Sequence, residues 1–224
     1  PPVTPYGAIA AKFRKIPIIA DVEDLWPLFL EESGVKNRQV LRYYEKQADT
    51  LYRLSTGIEA VSNGMLNYVM THIDCTTKVC WLAPLGVNLD SYDHLEGVIA
   101  TDKYAWINDF VVMYIGAHGL ANDIDSVLHT IARFYALSER VNGKKISFVF
   151  IGDGNHKREL LNLRMELELK NVYFEDAISS NLVPKALSYA DVCLTNLRRL
   201  DCFKLVRPNK LFQYMAASKP IISG

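Results

Sequence analysis

Glycine-rich stretches follow two apolar runs in the second half of the sequence, and each leads into a segment with helical periodicity. The first is YIGAHGLAND (114–123), and the second is FIGDGNHKREL (150–160). Their glycines are Gly116, Gly119, Gly152 and Gly154. A loop of this kind at a helix N-terminus offers free N–H groups and a positive dipole end to a phosphate. Tight turns without a ligand are the alternative, but two such loops in succession favour a nucleoside diphosphate.

A third stretch, RPNKLFQYMAASKPII (207–222), places a cation at the start of another predicted helix. Pro208 suits the first turn, where no backbone donor is lost, and Asn209 can cap the helix. Lys210 then lies beside the free N–H groups, and Gln213 lies one turn later on nearly the same face. A buried helix whose lysine extends to the surface is the alternative. Together with the two glycine loops, the pattern favours an anion site.

Other phosphate and metal motifs fit the sequence less well. Neither glycine loop matches G-x-x-x-x-G-K-[ST] or the complete G-x-G-x-x-G pattern, which argues against ATPase and NAD-binding functions. Asp123 and Asp125 form a D-x-D pattern, but they fall where a helix is predicted to start, with Asn122 or Asp123 as its cap. Capping and the helix dipole favour Asp there without any metal, so no metal site is expected.

Apolar runs bounded by turn residues alternate with longer segments of helical period along the chain. The predicted strands lie at 16–21, 58–62, 78–84, 110–119, 145–154, 171–176, 191–196 and 220–223. The predicted helices lie at 37–55, 63–72, 122–141, 156–169 and 180–190, with one more beginning near Pro208. Such alternation is typical of parallel sheets covered by helices on both faces. The sequence therefore predicts an α/β fold with two Rossmann-like domains.

A polar, aperiodic stretch divides this alternation into two parts. We predict a partial N-terminal domain over 1–92, a linker over 93–108 and a C-terminal domain over 109–224. The sequence starts without an initiator Met and stops in a predicted strand, so a fragment cut at both ends is expected.

Composition argues against several classes of function. The chain has 25 basic and 25 acidic residues, so no net charge attracts it to nucleic acid. No apolar run approaches the roughly 18 residues that a membrane-spanning helix needs. The four cysteines show no paired framework, which is typical of a reducing compartment.

The order and spacing of several segments resemble glycosyltransferase family 4, in particular its bacterial branch for capsules and O-antigens. The segments are YIGAHG, FVFIGDGNHKREL, NVYFED, ADVCLTNL and RPNKLFQYMAASKPII. Upstream, ADVEDLWP (20–27) looks like the D-x-x-D-x-W-P element of that branch, and WLAPLGVNLDSY (81–92) is similar to P-N-G-V-D-x-x-x-F. The resemblance covers almost the whole chain.

The resemblance implies a GT-B fold and a retaining, metal-independent hexosyltransferase. Its donor would be a nucleoside-diphosphate sugar, with a UDP-sugar expected, and its acceptor a lipid-linked or other glycan of surface polysaccharide biosynthesis. No cofactor is implied. The expected location is the cytoplasm, with peripheral contact at the inner face of the cell membrane.

The resemblance also assigns site residues. Those expected to bind the donor nucleotide are Gly116, His118, Gly119, Gly152, Asp153, Gly154, Arg158, Asn209, Lys210, Leu211 and Gln213. Asp24 and Trp26 are expected on the acceptor side. The catalytic residues are expected upstream of Pro1, outside this sequence.

The sequence departs from the family pattern at three points. Leu205 and Gln213 replace the two glutamates of the E-x7-E motif, GAHGLAND lacks the usual Arg and Lys, and Ser218 replaces a common Gly. A glutamine can still bond a ribose hydroxyl, but without the charge that strengthens such a bond. Two alternatives therefore stay open, a catalytically silent nucleotide-binding or partner subunit and a GT-B epimerase of nucleotide sugars.

Overall fold

The structure is a computed structural model of the chain. It describes residues 4–32, 34–74, 76–93, 104–135 and 139–224. The chain packs as two compact units, each with a parallel sheet and helices, which confirms the predicted α/β class. One unit contains Pro1–Leu85 and Arg199–Arg207, and the other contains Gly86–Arg198 and Pro208–Gly224.

The first unit is built on a three-stranded parallel sheet in the order β1-β2-β3. Its strands are β1 (Ile19–Val22), β2 (Gly57–Ala60) and β3 (Val79–Leu82). Its helices are α1 (Thr4–Phe13), α2 (Leu28–Glu32), α3 (Arg38–Leu54) and α4 (Asn63–His72). Asn37 begins α3 as a cap, since its side chain accepts hydrogen bonds from the N–H groups of Gln39 and Val40. The core of the unit forms around Ile58 and Met65, which have no exposed surface.

The second unit holds a larger sheet with five parallel strands in the order β7-β6-β4-β8-β9. Its strands are β4 (Phe110–Ile115), β5 (Arg140–Val141), β6 (Lys144–Ile151), β7 (Val172–Glu175), β8 (Val192–Thr195) and β9 (Ile221–Ser223). Its helices are α5 (Asp90–Asp93), α6 (Ile124–Tyr135), α7 (Lys157–Glu166), α8 (Val183–Ser188) and α9 (Asn209–Ala216).

The apolar character of β4 and β6 explains why they are the central strands. Val111 and Met113 pack in one cluster and Val112 and Tyr114 in another, as alternation along a strand requires when both faces are covered. The order of strands reverses beside β4, with β6 on one side and β8 on the other. In open parallel sheets, ligands bind at the carboxyl ends of strands where the order reverses.

The helix predicted over 122–141 ends earlier than expected. The structure has α6 to Tyr135, then β5, which pairs antiparallel with the start of β6. Asn142 and Gly143 join the two strands with φ of 50° and 81°. An Asn-Gly pair with positive φ at both residues is the preferred two-residue hairpin turn, and it outweighs the helical periodicity of the preceding segment. Residues 136–138 lie outside the described residues.

The two units differ from the predicted domain bounds in two places. Most of the predicted linker, 94–103, lies outside the described residues, but Trp106 and Ile107 pack in the core of the second unit. Arg199–Arg207 groups with the first unit because Leu205 and Val206 pack against its apolar cluster. Within the described residues, no helix is both long and apolar enough to cross a bilayer.

Candidate functional site

The site is built where β4 ends, at the reversal of strand order in the second unit. Gly116 follows β4, and its N–H donates to the carbonyl of Ile151 at the end of β6. Gly152 follows β6, and its N–H donates to the carbonyl of Glu175 at the end of β7. The two glycine loops therefore lie side by side along the carboxyl edge of the sheet.

Helix α9 is fixed to this edge at its middle. Tyr214 has no exposed surface, and its hydroxyl accepts a hydrogen bond of 2.9 Å from the N–H of Ile115, the last residue of β4. The same hydroxyl lies 3.4 Å from the carbonyl oxygen of Ile115. Because Tyr214 ties α9 to the end of β4, the first turn of the helix lies beside the glycine that follows that strand.

Lys210 extends from this first turn towards neutral oxygen atoms. Its Nζ donates to Tyr114 Oη at 2.6 Å and to Asn122 Oδ1 at 2.8 Å, and it lies 4.0 Å from the centre of the Tyr114 ring. None of the carboxylates in the described ranges forms an ion pair with Lys210. Burial lowers the pKa of Lys210 from 10.5 to about 7. The ammonium group is therefore held without a compensating negative charge.

A single backbone carbonyl orients both acceptors. The hydroxyl of Tyr114 donates to the carbonyl of Ala117 at 2.8 Å, and Asn122 Nδ2 donates to the same oxygen at 2.9 Å. Each side chain thus uses its donor on Ala117 and turns an oxygen lone pair to Lys210. Burial raises the pKa of Tyr114, so the phenol stays protonated.

The start of α9 differs from the predicted cap. Pro208 occupies the N-cap position with extended backbone, and Asn209 is the first helical residue. The expectation that Asn209 caps the helix is therefore wrong, because the proline fixes the turn one residue earlier. In the described part of the chain, no side chain caps α9. The N–H of Leu211 donates to the carbonyl of Pro208, and the N–H groups of Asn209 and Lys210 stay open.

Two of the four glycines are required by contacts within the protein. A Cβ at Gly152 would collide with the carbonyl oxygen of Gly116, and a Cβ at Gly154 would collide with that of His118. A Cβ at Gly116 would lie 3.1 Å from Nζ of Lys210. At Gly119 it would meet only an ordinary contact. Close packing of the two loops therefore explains Gly152 and Gly154 without a ligand.

His118 lies beneath the loops rather than on the open edge. Its side chain has no exposed surface and packs edge-on against Phe174 at 5.5 Å between ring centres. Neither ring nitrogen has a hydrogen-bond partner in the described part of the chain. Burial, with a contribution from nearby Lys157, lowers the pKa of His118 to about 4, so the ring is neutral at pH 7. Direct binding of a ligand by this side chain would need the loop to move.

The remaining donor-side residues lie on the surface of the loops and of α9. Asp153 is exposed and accepts a hydrogen bond from the N–H of Gly154 at 2.8 Å. Arg158 is exposed and lies 3.6 Å from the carboxylate of Glu159. Leu211 and Gln213 are half-buried. The side-chain amide of Gln213 makes no hydrogen bond to other residues that the structure describes.

Asp125 of the D-x-D pattern has a protein partner. Its carboxylate contacts His156 Nε2 at 2.9 Å, which joins the start of α6 to the loop before α7. Asp123 precedes α6 in the left-handed conformation, with φ of 46°. In the described ranges, no group of three or more His, Cys, Asp or Glu side chains has the arrangement of a metal site.

Asp24 and Trp26 lie in the first unit, beside a cavity of about 250 Å³. Trp26 stacks on Tyr44 with 5.3 Å between ring centres. The cavity is lined by Pro5, Asp21, Val22, Glu23, Asp24, Trp26, Tyr44, Gln47, Ala48, Leu51 and Tyr52. Carboxylates and aromatic rings therefore surround the two residues expected on the acceptor side, and the acceptor itself stays a prediction.

Leu205, at the position of the first motif glutamate, also belongs to the first unit. It packs against Gly64, where a Cβ would meet the Leu205 side chain at 2.7 Å. Its carbonyl accepts a hydrogen bond from Ser62 Oγ, beside the start of α4. The leucine at this position thus has a packing role.

The sequence and the fold of the chain match known glycosyltransferases. Residues 109–224, just over half of the chain, match the family described as Glycosyl transferases group 1. The chain belongs to this family. No curated protein sequence matches it at a significant level.

Several solved structures of glycosyltransferases share the GT-B fold of this chain. Anabaena Alr3699/HepE in complex with UDP-glucose has a TM-score of 0.72 at 14% identity, over 97% of this chain and 56% of that one. Sucrose-phosphate synthase from Thermosynechococcus elongatus has a TM-score of 0.66 at 16% identity, over 97% of this chain and 53% of that one. WaaG, a glycosyltransferase involved in lipopolysaccharide biosynthesis, has a TM-score of 0.66 at 12% identity, over 92% of this chain and 55% of that one. The chain therefore spans about half the length of these proteins.

Sequence reasoning did not identify the residues that position Lys210, either directly or through their neighbours. In the sequence, Tyr114 and Tyr214 were predicted only as apolar members of a strand and a helix. Asn122 was predicted as a possible cap of α6. Asn196 was also missed; its amide donates to the carbonyls of Asn122 and Asp123 at 3.3 and 3.1 Å. The position of Asn196 as the last residue of a predicted strand was the available signal, since polar residues at strand ends meet at one edge.

Proposed function

We propose that this protein is a glycosyltransferase that takes a sugar from a nucleoside-diphosphate donor bound in the second unit. The observation that carries the proposal is the meeting of Lys210, the uncapped start of α9 and the Gly116 loop where the strand order reverses. A cation and free N–H groups at one point are suited to a diphosphate. Family membership supports transfer as the reaction.

Transfer forms a bond between an acceptor oxygen and the anomeric carbon of the sugar and breaks the bond between that carbon and the diphosphate. The diphosphate leaves with the bonding electrons, and the proton of the acceptor hydroxyl passes to the leaving diphosphate or to solvent. Negative charge grows on the diphosphate as that bond breaks. Lys210 and the first N–H groups of α9 are placed to stabilise this charge without reorganisation. The group that acts on the acceptor hydroxyl is not among the residues assigned here.

We further propose UDP as the donor nucleotide and a hexose as the transferred sugar, with retention of configuration. The solved complex of HepE with UDP-glucose supports the nucleotide, since it shares the fold. A lipid-linked or glycan acceptor of surface polysaccharide, reached at the inner face of the membrane, is proposed with it. The role of WaaG in lipopolysaccharide biosynthesis supports this pathway class.

A silent nucleotide-binding subunit is the second candidate. The observation that favours it is the apolar packing of Leu205 together with Gln213, so that neither position of the motif carries a carboxylate. An epimerase would need further carboxylates and histidines around the donor sugar.

Incubation of the full-length protein with a panel of UDP-, GDP- and ADP-sugars separates the candidates. A glycosyltransferase consumes a UDP-sugar and joins the sugar to an added lipid-linked or glycan acceptor, and NMR of the product reports the anomeric configuration. Binding of UDP without consumption of any sugar nucleotide would favour the silent subunit. Conversion to an isomeric UDP-sugar would indicate an epimerase, and no nucleotide binding at all would refute the proposed site.

A further inference from the structure

We propose that Tyr114 and Asn122 are positioning residues that hold Lys210 with oxygen lone pairs, so that an arriving anion supplies the counter-charge that the described residues do not. The inference rests on the proposed function and deepens it, because it assigns proton-linked binding to the same site. Its basis is the pair of hydrogen bonds from Nζ, at 2.6 and 2.8 Å, and the shared carbonyl of Ala117 that orients both acceptors.

The surroundings of Lys210 contain few groups that could neutralise or repel its charge. Tyr114 from β4 is protonated, and His118 from the following loop is neutral at pH 7. Tyr214, on the same helix, is buried and has a raised pKa. At the start of α6, Asp125 is engaged by His156 and Asp123 makes no ion pair with Lys210.

This arrangement has a direct consequence for the proton on Lys210. A lysine desolvated by burial and held by neutral acceptors loses its proton near neutral pH. A diphosphate beside the ammonium favours the charged form, so binding above pH 7 takes up a proton from solvent. A ligand that needs the charged form loses affinity in proportion to the charged fraction, about tenfold per pH unit above the pKa.

A carboxylate in place of the Asn122 amide would remove this dependence. Asn122→Asp keeps the shape of the side chain but gives Lys210 a permanent counter-ion within hydrogen-bond distance. The lysine would then stay protonated throughout the neutral range, and the anion would have to compete with the new carboxylate. A residue that merely packs the loop would change neither the pH profile nor the proton uptake.

The experiment measures binding of UDP-glucose to the full chain by calorimetry from pH 7 to 9, in buffers of different ionisation enthalpy. The diphosphate of this ligand has no proton that titrates in the range. The uracil N3–H begins to ionise near pH 9, and the same titration of Lys210→Arg measures that contribution. We expect the affinity of the wild type to fall by about tenfold per pH unit, with up to one proton taken up. Lys210→Arg should bind with a flat profile, because its guanidinium does not titrate there. Asn122→Asp should also be flat, and about tenfold weaker at pH 7.

Asn181→Asp, the same change at an exposed residue before α8, serves as the control and should keep the wild-type profile. A flat wild-type profile without proton uptake overturns the proposal, as does a wild-type profile in Asn122→Asp. If Asn122→Asp does not fold, Tyr114→Phe tests the same point. This variant removes one of the two hydrogen-bond acceptors of Lys210, so the pH at the midpoint of the binding profile should decrease. An unchanged midpoint would count against the proposal.

NMR titration of the Lys210 Cε resonance, assigned by its loss in Lys210→Arg, separates this inference from the proposed function. It needs no nucleotide. A midpoint near 7 in the wild type, raised by at least two pH units in Asn122→Asp, supports the positioning role even if no nucleotide binds. An ordinary lysine midpoint above 10 in the wild type refutes it, whatever the outcome of the binding assays.

Discussion

Lys210 shows how a residue can favour ligand binding while opposing stability. Its ammonium is partly buried among neutral groups, and burial without a counter-charge is costly. The unliganded protein therefore carries an unfavourable contribution that a bound anion would remove. This is expected of functional sites, where local stability is commonly sacrificed for binding.

Lys210→Met should weaken UDP binding by about tenfold to hundredfold, since a charge-assisted hydrogen bond is lost. The same variant should have a higher free energy of unfolding at pH 7, by about 1 kcal/mol or more. The folded-state pKa of about 7 lies below the unfolded value of 10.5, so the unfolded chain binds the extra proton between these values. The stability of the wild type should therefore rise towards that of Lys210→Met as the pH rises from 7 to 10.

Calorimetric titration with UDP and chemical unfolding of both proteins measure these two effects. A variant that is more stable yet binds UDP as well as the wild type would remove Lys210 from the anion site. A less stable variant would contradict the cost assigned to its burial.

Gln213→Glu tests a second position on the same helix, one turn after Lys210. Gln213 is half-buried, and its side-chain amide makes no hydrogen bond to the described residues, so it is available to a ligand. If the nucleotide ribose lies there, a carboxylate should bind a ribose hydroxyl more strongly, and UDP binding should be tighter or unchanged. Gln39→Glu, at an exposed position on α3, is the control for added charge. Binding weakened by tenfold or more would place the ribose elsewhere.

His118→Leu should make the protein more stable in acid. The folded-state pKa of about 4 lies below the ordinary 6.5, so the unfolded chain binds more protons between these values. The stability of the wild type must then fall as the pH decreases from 6.5 to 4, by up to roughly 3 kcal/mol. The leucine variant should lack this slope and should be at least as stable at pH 7, because two unpaired nitrogens are removed.

Unfolding in urea at several pH values between 4 and 7 measures the slope. His129→Leu, an exposed position on α6, should keep the slope of the wild type. An acid slope that persists in His118→Leu would mean that another group causes it.

At the scale of elements, α9 is held in place at both its middle and its end. Tyr214 fixes the middle, and a Schellman motif closes the C-terminus. In that motif the N–H of Ser218 donates to the carbonyl of Met215, and the N–H of Lys219 donates to that of Tyr214. The motif needs a left-handed residue, and Ser218 supplies it with φ of 54°. Glycine, the common family residue, would adopt this conformation without strain.

Ser218→Gly should therefore raise the free energy of unfolding by about 0.5–1 kcal/mol, because the cost of a left-handed serine exceeds the extra entropy that glycine loses. Ser188→Gly, at the last residue of α8, should instead lower it by a similar amount, since the backbone there is helical. Thermal and urea unfolding of both variants test the prediction. Destabilisation by Ser218→Gly would show that the serine side chain contributes more than the backbone strain costs.

At the scale of the whole molecule, regular alternation was the part that sequence could predict. The apolar runs of β4 and β6 and the amphipathic period of α3 each indicate one element, so the α/β class followed from them. The hairpin at Asn142 was missed because the helical period of α6 was extended through a turn signal. Here a local backbone preference, readable from the Asn-Gly pair, decided the structure.

The site was predictable only in part, because one residue type can serve several partners. Gly152 and Gly154 were expected to admit a ligand, yet their missing side chains make room for the neighbouring loop. Asn122 was expected to cap a helix, yet its amide joins Lys210 to the carbonyl of Ala117. In each case the requirement for the residue type was visible in the sequence, but the partner depends on contacts between distant segments.

At the scale of the whole molecule, the composition of the proposed site predicts nucleotide binding that does not depend on a metal ion. Its charges are Lys210 and helix N–H groups, and Asp125 is occupied by His156. UDP should bind with affinities within about twofold in a chelator and in millimolar Mg²⁺ or Mn²⁺. A bound ligand at 100 times its Kd should raise the free energy of unfolding by about 2.7 kcal/mol in both conditions. Binding and thermal unfolding measured with and without chelator test this, with Asp125→Asn as the matched variant. If UDP binding strictly required a metal ion and Asp125→Asn abolished this metal-dependent binding, the metal interpretation of Asp123 and Asp125 would be restored. Lys210 would then not be the main anion-binding group.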